Sequence, residues 1–360
     1  MESPFIPNHI QNLKPYLAGK NLDKTKIVKL ASNENSLGPS PKALEAVQIA
    51  LKNSFRYPDP RAIKLVSKLA QKYKIQPSQI LCASGTDAIL SYIIMAFTHQ
   101  PQDEILTSEG TFIGIYVNTL KQNRSLKRVA LHDFQLDLTG LLQQISKNTK
   151  IIYLANPNNP TGSMFTKKEF EDFMKHVPPY VLVILDEAYE VYASSNPTYP
   201  NGLTYDMPNL ITTRTFSKVY GLAGFRVGWA YGPQRLISEL YKVKLPFEPS
   251  HIAQVAACAA LEDQAFLDET QKLNTASLKL FQRCFQNLGI TTLETTSNFL
   301  LLHLGSHQKA ATFTQKCLDQ GLILRHTDAF GIPEGVRINS GTLEETQFAI
   351  EIISKVYPTL

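Results

Sequence analysis

Short apolar runs that alternate with stretches of helical length constrain the fold of this chain more than any other feature. The runs IIYLA at 151–155 and VLVIL at 181–185 are apolar throughout. Strands that helices cover on both faces of a parallel sheet have this composition. The pattern predicts an α/β fold with a mostly parallel sheet covered by helices. The predicted strands of this sheet span 79–82, 104–107, 127–131, 150–154, 181–185, 209–213 and 226–231.

A second pattern begins near Pro249. It predicts a long helical stretch at about 249–287, followed by a mixture of strands and helices. These are strands at 298–304, 322–325 and 336–339 and helices at 308–320 and 343–356. The chain has 360 residues, which suits two domains at roughly 150 residues each. We expect an N-terminal arm at 1–40, a large domain at 41–248 and a smaller C-terminal α+β domain at 249–360.

Composition narrows the range of functions. Lys and Arg total 36 against 31 Asp and Glu, and a net charge of +5 is too mild for a nucleic-acid-binding face. The stretch MESPFIPNHIQNLKPY lacks the segments of a secretory signal, and no apolar run reaches the roughly 18 residues of a membrane span. Four cysteines without CxxC spacing fit a reducing compartment. We therefore expect a soluble cytoplasmic protein that binds neither nucleic acid nor membrane.

Several common ligand-binding motifs do not occur in the sequence. It has no P-loop, no HExxH and no GxSxG string, and the glycines at 221–228 lack the dinucleotide-binding spacing. His303 and His307 are near each other, but Gly305 separates them at a predicted strand end. We expect no metal site.

Two polar residues follow the apolar runs. Asp186 closes the run VLVIL, and ligands of open α/β sheets bind outside the carboxyl ends of the strands. Asn159 lies in the turn ANPNNPTG, whose prolines and glycine would hold its amide in place. Taken singly, Asp186 is also compatible with a helix cap and Asn159 with an ordinary loop.

The segment at 212–229 is more specific. A predicted strand leads Ser217 and Lys218 into a glycine-rich turn, and Arg226 follows. A lysine fixed at the mouth of a sheet suits a Schiff base with a phosphorylated aldehyde. Ser217 and Arg226 would bind the phosphate, and the charge of Arg226 would lower the pKa of Lys218.

Together, these motifs resemble those of fold-type I pyridoxal-phosphate (PLP) aminotransferases, and most closely the histidinol-phosphate branch of that family. The resemblance extends over about 30–345, with the motifs in the family's order. The matching strings are LASNENSLGPSPKAL (30–44), FRYPDP (55–60), ASGTDAI (83–89), ANPNNPTG (155–162), ILDEAYEVYA (184–193), RTFSKVYGLAGFRVGWA (214–230) and VRINSGTLEE (336–345). The implied fold is a large PLP-binding domain followed by a smaller one.

The resemblance implies a role for each residue around the cofactor ring. Lys218 would bind PLP covalently and then move the proton, and Asp186 would pair with the pyridinium nitrogen. Asn159 and Tyr189 would donate hydrogen bonds to the ring hydroxylate. Phe112 stands where the family stacks an aromatic side chain, often tyrosine, on the ring.

The resemblance also implies contacts with anionic groups. The cofactor phosphate would be bound at a helix N-terminus and by residues that include one from a neighbouring subunit, so a homodimer with shared active sites is expected. These residues are Gly85, Thr86, Asp87, Ser217, Arg226 and, across the interface, Tyr57. On the substrate side, Arg337 would receive the carboxylate, Arg325 would be a second anion contact, and Asn33 would line the pocket.

The implied reaction is transamination of L-histidinol phosphate with 2-oxoglutarate, giving imidazole-acetol phosphate and L-glutamate in histidine biosynthesis. Three alternatives share the cofactor motifs: transamination of phenylalanine or tyrosine, decarboxylation of phosphothreonine, and a regulatory sensor built on the same fold. The sensor usually carries an added DNA-binding module, for which the residues before Asn33 leave no room.

Overall fold

A computed structural model describes residues 5–13 and 27–360 of the chain. The predicted arm at 1–40 lies partly outside the described residues. The described strands are β1 Val28–Lys29, β2 Ile80–Ala83, β3 Glu104–Ser108, β4 Ser125–Val129, β5 Thr149–Ala155, β6 Leu182–Asp186, β7 Leu210–Thr215, β8 Gly228–Tyr231, β9 Thr291–Thr292, β10 Phe299–His303, β11 Leu322–Ile323, β12 Arg325–His326 and β13 Gly335–Asn339.

The main sheet has seven strands in the order β2-β8-β7-β6-β5-β3-β4. The pairs among β7, β6, β5, β3 and β4 are parallel, and β8 runs antiparallel to both of its neighbours. The mostly parallel sheet predicted from the apolar runs is therefore confirmed. The register places Ala155, Asp186 and Thr213 side by side at the carboxyl ends of three adjacent strands.

Helices cover this sheet on both faces. Ile151 and Tyr153 of β5 pack into one apolar cluster, whereas Ile152 and Leu154 pack into another on the opposite face. This two-sided burial explains why the runs are apolar at every position. The described helices are α1 Asn8–Gln11, α2 Pro41–Ala50, α3 Ile63–Tyr73, α4 Thr86–Phe97, α5 Ile113–Lys121, α6 Leu138–Gln143, α7 Lys167–His176, α8 Glu190–Ala193, α9 Gln234–Val243, α10 His251–Ala260, α11 Gln264–Asn287, α12 His307–Asp319 and α13 Leu343–Val356. None of them is long and apolar enough to cross a membrane.

The helical stretch predicted at about 249–287 is divided into two helices, α10 and α11. Asp263 leaves the helical conformation, with φ −99° and ψ 67°, and its carboxylate accepts a 2.6 Å hydrogen bond from Ser40. A short acidic side chain that hydrogen-bonds outside the helix competes with helix continuation. The prediction of continuous helix was wrong at this point.

The C-terminal region contains a four-stranded antiparallel sheet in the order β12-β13-β10-β9. The single strand predicted at 322–325 was wrong, because β11 pairs in parallel with β1 while β12 pairs with β13. A separate cluster of buried side chains, which includes Phe281, Phe313 and Ile353, lies between this sheet and its helices. The predicted domain boundaries near residues 40 and 248 stay predictions.

Candidate active site

Lys218 lies in the loop that follows β7, at the carboxyl edge of the main sheet. Its Nζ donates a 3.3 Å hydrogen bond to the carbonyl oxygen of Ser32, which belongs to the segment after β1. Burial lowers the pKa of Lys218 to about 8, and the charges of Arg337 and Arg226 act in the same direction against Glu34 and Asp87. An amine with this pKa exchanges protons readily near neutral pH.

Asp186 ends β6 and is buried, with 4% of its surface exposed. The hydroxyl of Tyr153 donates a 2.7 Å hydrogen bond to its Oδ2. Its Oδ1 is buried and has no hydrogen-bond partner among the described residues. Burial raises the pKa of Asp186 to about 6, while the Tyr153 hydrogen bond opposes this rise. The site therefore holds a carboxylate with one oxygen available for a further donor.

An anion-binding corner forms where the loop before α4 meets Arg226. Gly85 precedes α4 with φ +88°, a conformation that favours glycine, and Arg226 itself has φ +54°. A Cβ at Gly85 would lie 2.7 Å from Nη2 of Arg226, so the guanidinium group lies directly over this turn. Nη1 of Arg226 also approaches Oγ of Ser217 at 3.5 Å. Helix N-terminal N–H groups, a hydroxyl and a guanidinium group together suit a phosphate.

Arg226 also explains why one strand is shorter than predicted. The strand predicted at 226–231 begins only at Gly228. Its first two residues belong to the turn, since Arg226 adopts the left-handed conformation after a 3₁₀ helix at Ala223–Phe225.

Asp87 and Phe112 are brought together at the start of α5. A Cβ built on Gly114 would collide with both the Phe112 ring and the Asp87 carboxylate, so glycine is needed there. Burial raises the pKa of Asp87, whereas Arg226, Lys121 and Lys218 lower it. The first turn of α4 therefore has a carboxylate close to the phosphate-binding corner.

Tyr189 and Asn33 form a buried pair. Nδ2 of Asn33 donates a 2.7 Å hydrogen bond to the Tyr189 hydroxyl, and the Asn33 backbone N–H donates to Oδ1 of Asn339 at 3.0 Å. Nζ of Lys218 lies 5.9 Å from the centre of the Tyr189 ring. Burial raises the pKa of Tyr189 to about 12, although Arg337 and Asn33 oppose the rise.

Arg337 connects the C-terminal sheet to the main one. Its Nη1 donates to Oδ1 of Asn159, and its Nη2 donates to the carbonyl oxygen of Ala31 at 2.7 Å. Arg325 lies directly opposite Arg337 in the β12–β13 pair. The register therefore brings two arginines together, and one of them, Arg337, acts electrostatically on Lys218. Their role as an anion site stays a prediction.

Tyr57 lies apart from the candidate residues around Lys218. Its side chain is 81% exposed and stacks on Phe247, with ring centres 4.4 Å apart. Within the described part of the chain, Tyr57 makes no hydrogen bond or ring contact with the other candidate residues.

The sequence analysis did not predict two residues that support the candidate site, Tyr153 and Arg214. In the sequence, Tyr153 looks like a core residue of the run IIYLA. The one feature that could have indicated its role is a hydroxyl group in an apolar strand that lies beside the strand of Asp186. Arg214 of β7 forms a buried ion pair with Glu187 at 2.7 Å and approaches Glu190 at 3.3 Å. These two glutamates directly follow Asp186 and Tyr189, so Arg214 fixes the turn that carries both.

A cavity of about 530 Å³ lies elsewhere, beside α6 and α7. Its four acidic side chains already have partners: Asp133 approaches His132, Asp137 caps α6, Glu169 caps α7 and Asp172 pairs with Lys175. None of its lining residues belongs to the group around Lys218.

Comparison with known proteins identifies the family of the chain. The model of the family aminotransferase class I and II matches residues 25–353. The chain belongs to this family. It is 37% identical over 358 residues, 96% of each chain, to histidinol-phosphate aminotransferase 2 of Pseudomonas fluorescens. It is 34% identical over 365 residues to histidinol-phosphate aminotransferase 2 of Carboxydothermus hydrogenoformans, which covers 97% of this chain and 100% of that one.

A solved structure also resembles this chain over nearly its whole length. It is the histidinol-phosphate aminotransferase of Sinorhizobium meliloti in complex with pyridoxal-5'-phosphate, with 27% identity and a TM-score of 0.93 over 99% of this chain and 98% of that chain. These findings confirm the predicted fold class and the predicted PLP-dependent aminotransferase family. The role of each site residue stays a prediction.

Proposed function

We propose that the chain transfers the amino group of L-histidinol phosphate to 2-oxoglutarate, as a step of histidine biosynthesis. The products are imidazole-acetol phosphate and L-glutamate. The observation that carries the proposal is the pairing of Arg325 with Arg337, whose charge acts on Lys218. The names of the relatives support the same substrate.

The residues present fit PLP. The buried Oδ1 of Asp186 needs a donor, which a protonated ring nitrogen would provide. The corner formed by Gly85, Ser217 and Arg226 suits the phosphate of the cofactor. When bound, PLP supplies an electron sink for the carbanion that develops at the substrate.

Lys218 supplies the proton transfer. Its pKa of about 8 keeps a useful fraction of the amine neutral at neutral pH. A base whose pKa lies near the working pH accepts and returns a proton efficiently, and such transfer contributes about 10²–10⁴-fold. Asp186, held by Tyr153, would keep negative charge at the ring nitrogen of bound PLP. Asn159 accepts from Arg337 through its oxygen, so its NH₂ group is the end that would donate to the ring hydroxylate of bound PLP.

Arg337 and Arg325 would bind the anionic end of the substrate. Histidinol phosphate has a phosphate and no carboxylate, whereas glutamate has two carboxylates. An arginine accepts both groups in turn because its planar donors match phosphate and carboxylate oxygens alike.

We also propose a cytoplasmic homodimer with shared active sites. Tyr57 is exposed in the single chain, as expected for a residue that reaches the partner's cofactor. It belongs to a set of exposed apolar side chains that a second copy of the chain would bury. A dimer with twofold symmetry is the commonest kind of oligomer. This set is Leu44, Ile49, Leu51, Phe55, Tyr57, Ile63, Leu245 and Phe247. The four cysteines are free thiols, as in a reducing compartment.

A substrate panel on the purified, PLP-loaded enzyme tests the proposal. L-Histidinol phosphate, phenylalanine, tyrosine and phosphothreonine are compared at equal concentration, with 2-oxoglutarate as acceptor and glutamate as the measured product. The highest kcat/KM is expected with histidinol phosphate. A higher value with phenylalanine or tyrosine would make the protein an aromatic aminotransferase, and release of CO₂ from phosphothreonine would make it a decarboxylase.

A further inference from the structure

Phe330 lies against both arginines of the substrate side. The guanidinium carbon of Arg325 is 5.7 Å from the centre of its ring, and that of Arg337 is 5.6 Å from the same centre. Both distances are within the roughly 6 Å at which a cation is attracted to an aromatic face. One ring therefore stabilises two positive charges.

This arrangement offsets a repulsion. Arg325 and Arg337 are directly opposite each other in the antiparallel β12–β13 pair. Side chains at such positions project from the same face of the sheet, and like charges there are destabilising. The ring of Phe330 provides negative π density for both guanidinium groups while the substrate is absent.

The two arginines depend on Phe330 to different degrees. Arg337 is also bound by Asn159 and Ala31 and lies over the ring of Phe299 at 5.4 Å. The side chain of Arg325 makes no hydrogen bond or ion pair with any of the residues that the structure describes. Its contact with Phe330 is thus the interaction that fixes its guanidinium group.

Phe330 is itself firmly placed. Its side chain is buried, with 4% exposed. Its carbonyl oxygen accepts a 2.9 Å hydrogen bond from the N–H of Gly110, in the loop after β3, and its own N–H donates to Thr327 at 3.0 Å. The ring therefore has a fixed position relative to the main sheet. Its contact with Arg325 holds the guanidinium group in a defined place.

We propose that Phe330 is a positioning residue that holds Arg325 beside Arg337, so that the pair binds one doubly charged phosphate group of the substrate. The inference rests on the proposed function, because it assigns the phosphate of histidinol phosphate to both arginines. A carboxylate of glutamate, with a single charge, relies mainly on Arg337.

The test compares three variants of the PLP-loaded enzyme. Phe330→Leu removes the π face and keeps an apolar side chain, whereas Phe330→Tyr keeps the π face. Phe313→Leu is the control, because Phe313 is a fully buried phenylalanine of the C-terminal core whose ring packs on Tyr357 and has neither arginine over it. KM and kcat are measured with histidinol phosphate and with glutamate, together with the inhibition constant of inorganic phosphate against glutamate.

Phe330→Leu should raise the KM for histidinol phosphate about two- to thirty-fold, the range of a cation–π contact. The inhibition constant of phosphate should rise in parallel, while the KM for glutamate and kcat change much less. Phe330→Tyr should restore the wild-type values, and Phe313→Leu should lower only the thermal midpoint. A Phe330→Leu enzyme with an unchanged KM and phosphate inhibition constant would overturn the inference, and so would equal changes in Phe313→Leu.

The design separates this inference from the proposed function. If the wild-type enzyme does not use histidinol phosphate, the proposed function is wrong. Inorganic phosphate inhibition of the reaction with glutamate then still decides whether Phe330 positions the two arginines.

Discussion

The hydroxyl of Tyr153 donates a 2.7 Å hydrogen bond to Oδ2 of Asp186 from the neighbouring strand of the main sheet. Burial and the Asp186 carboxylate raise the pKa of Tyr153 well above its ordinary value, so the phenol stays protonated and remains a donor. This hydrogen bond opposes the effect of burial, which raises the pKa of Asp186 to about 6. Tyr153 therefore favours the ionised form of Asp186.

Tyr153→Phe should move the acidic limb of the kcat/KM profile to higher pH. Loss of one hydrogen bond of about 0.5–1.5 kcal/mol corresponds to a shift of up to about one pH unit. The basic limb, which Lys218 governs, should stay in place and serves as the internal control. Superimposable profiles for the variant and the wild type would show that Tyr153 does not support Asp186.

Lys218→Met should stabilise the apoenzyme at neutral pH. The pKa of Lys218 is about 8 in the folded chain against 10.5 for an ordinary lysine, so folding disfavours its charged form. The native state binds fewer protons than the unfolded state between these values, and wild-type stability therefore rises with pH across that window. The difference in thermal midpoint should be largest below pH 8 and shrink towards pH 10.5. A difference that does not depend on pH would contradict this assignment.

Gly85→Ala should weaken PLP binding. The residue has φ +88°, and a side chain there would press on the guanidinium group of Arg226. Displacing that group would weaken its hydrogen bond to the phosphate, which contributes about 1.5–3 kcal/mol, so cofactor affinity should fall roughly ten- to hundred-fold. Gly224→Ala is the matched control, because a Cβ at Gly224 meets no atom within 4 Å and its φ is not positive. Spectroscopic titration of the two apoenzyme variants with PLP measures their affinities. Equal affinities would show that Gly85 is not part of the phosphate site.

Arg337→Ala should weaken both anionic substrates. A hydrogen bond to a charged group contributes about 1.5–3 kcal/mol, so kcat/KM for histidinol phosphate and for glutamate should fall at least ten-fold. Turnover of unphosphorylated histidinol should change little, so the preference for the phosphorylated substrate should collapse. Arg337→Lys should rescue only partly, because lysine lacks the planar pair of donors. If all three substrates lose activity together and the thermal midpoint drops, Arg337 has only a packing role.

Local sequence patterns predicted the main sheet, because burial on both faces leaves a continuous apolar run at strands such as β5 and β6. They did not predict pairing partners. The run at 322–325 was expected to be one strand, yet Leu322 pairs with Val28 and Arg325 pairs with Arg337. Such choices depend on segments far apart in the chain, which no local pattern contains.

The same limit applies to the candidate site. Lys218, Asp186 and Asn159 could be found because they follow apolar runs or lie in rigid turns. The contacts that orient them could not, since the hydrogen bond from Arg337 to Asn159 and the ion pair between Arg214 and Glu187 join different elements. Phe330 reads as an ordinary apolar residue until the arginines on either side of it in the sequence fold against its ring.

Lys218 is the residue that we propose binds PLP. Reduction of the PLP-loaded enzyme with borohydride, followed by digestion and mass spectrometry of the peptides, tests it most directly. We expect the phosphopyridoxyl group on Lys218, and no labelled peptide from Lys218→Ala even though that variant still binds PLP without a covalent bond. A label on any other lysine of the wild-type chain, or a labelled peptide from the Lys218→Ala variant, would show that Lys218 is not the PLP-binding lysine.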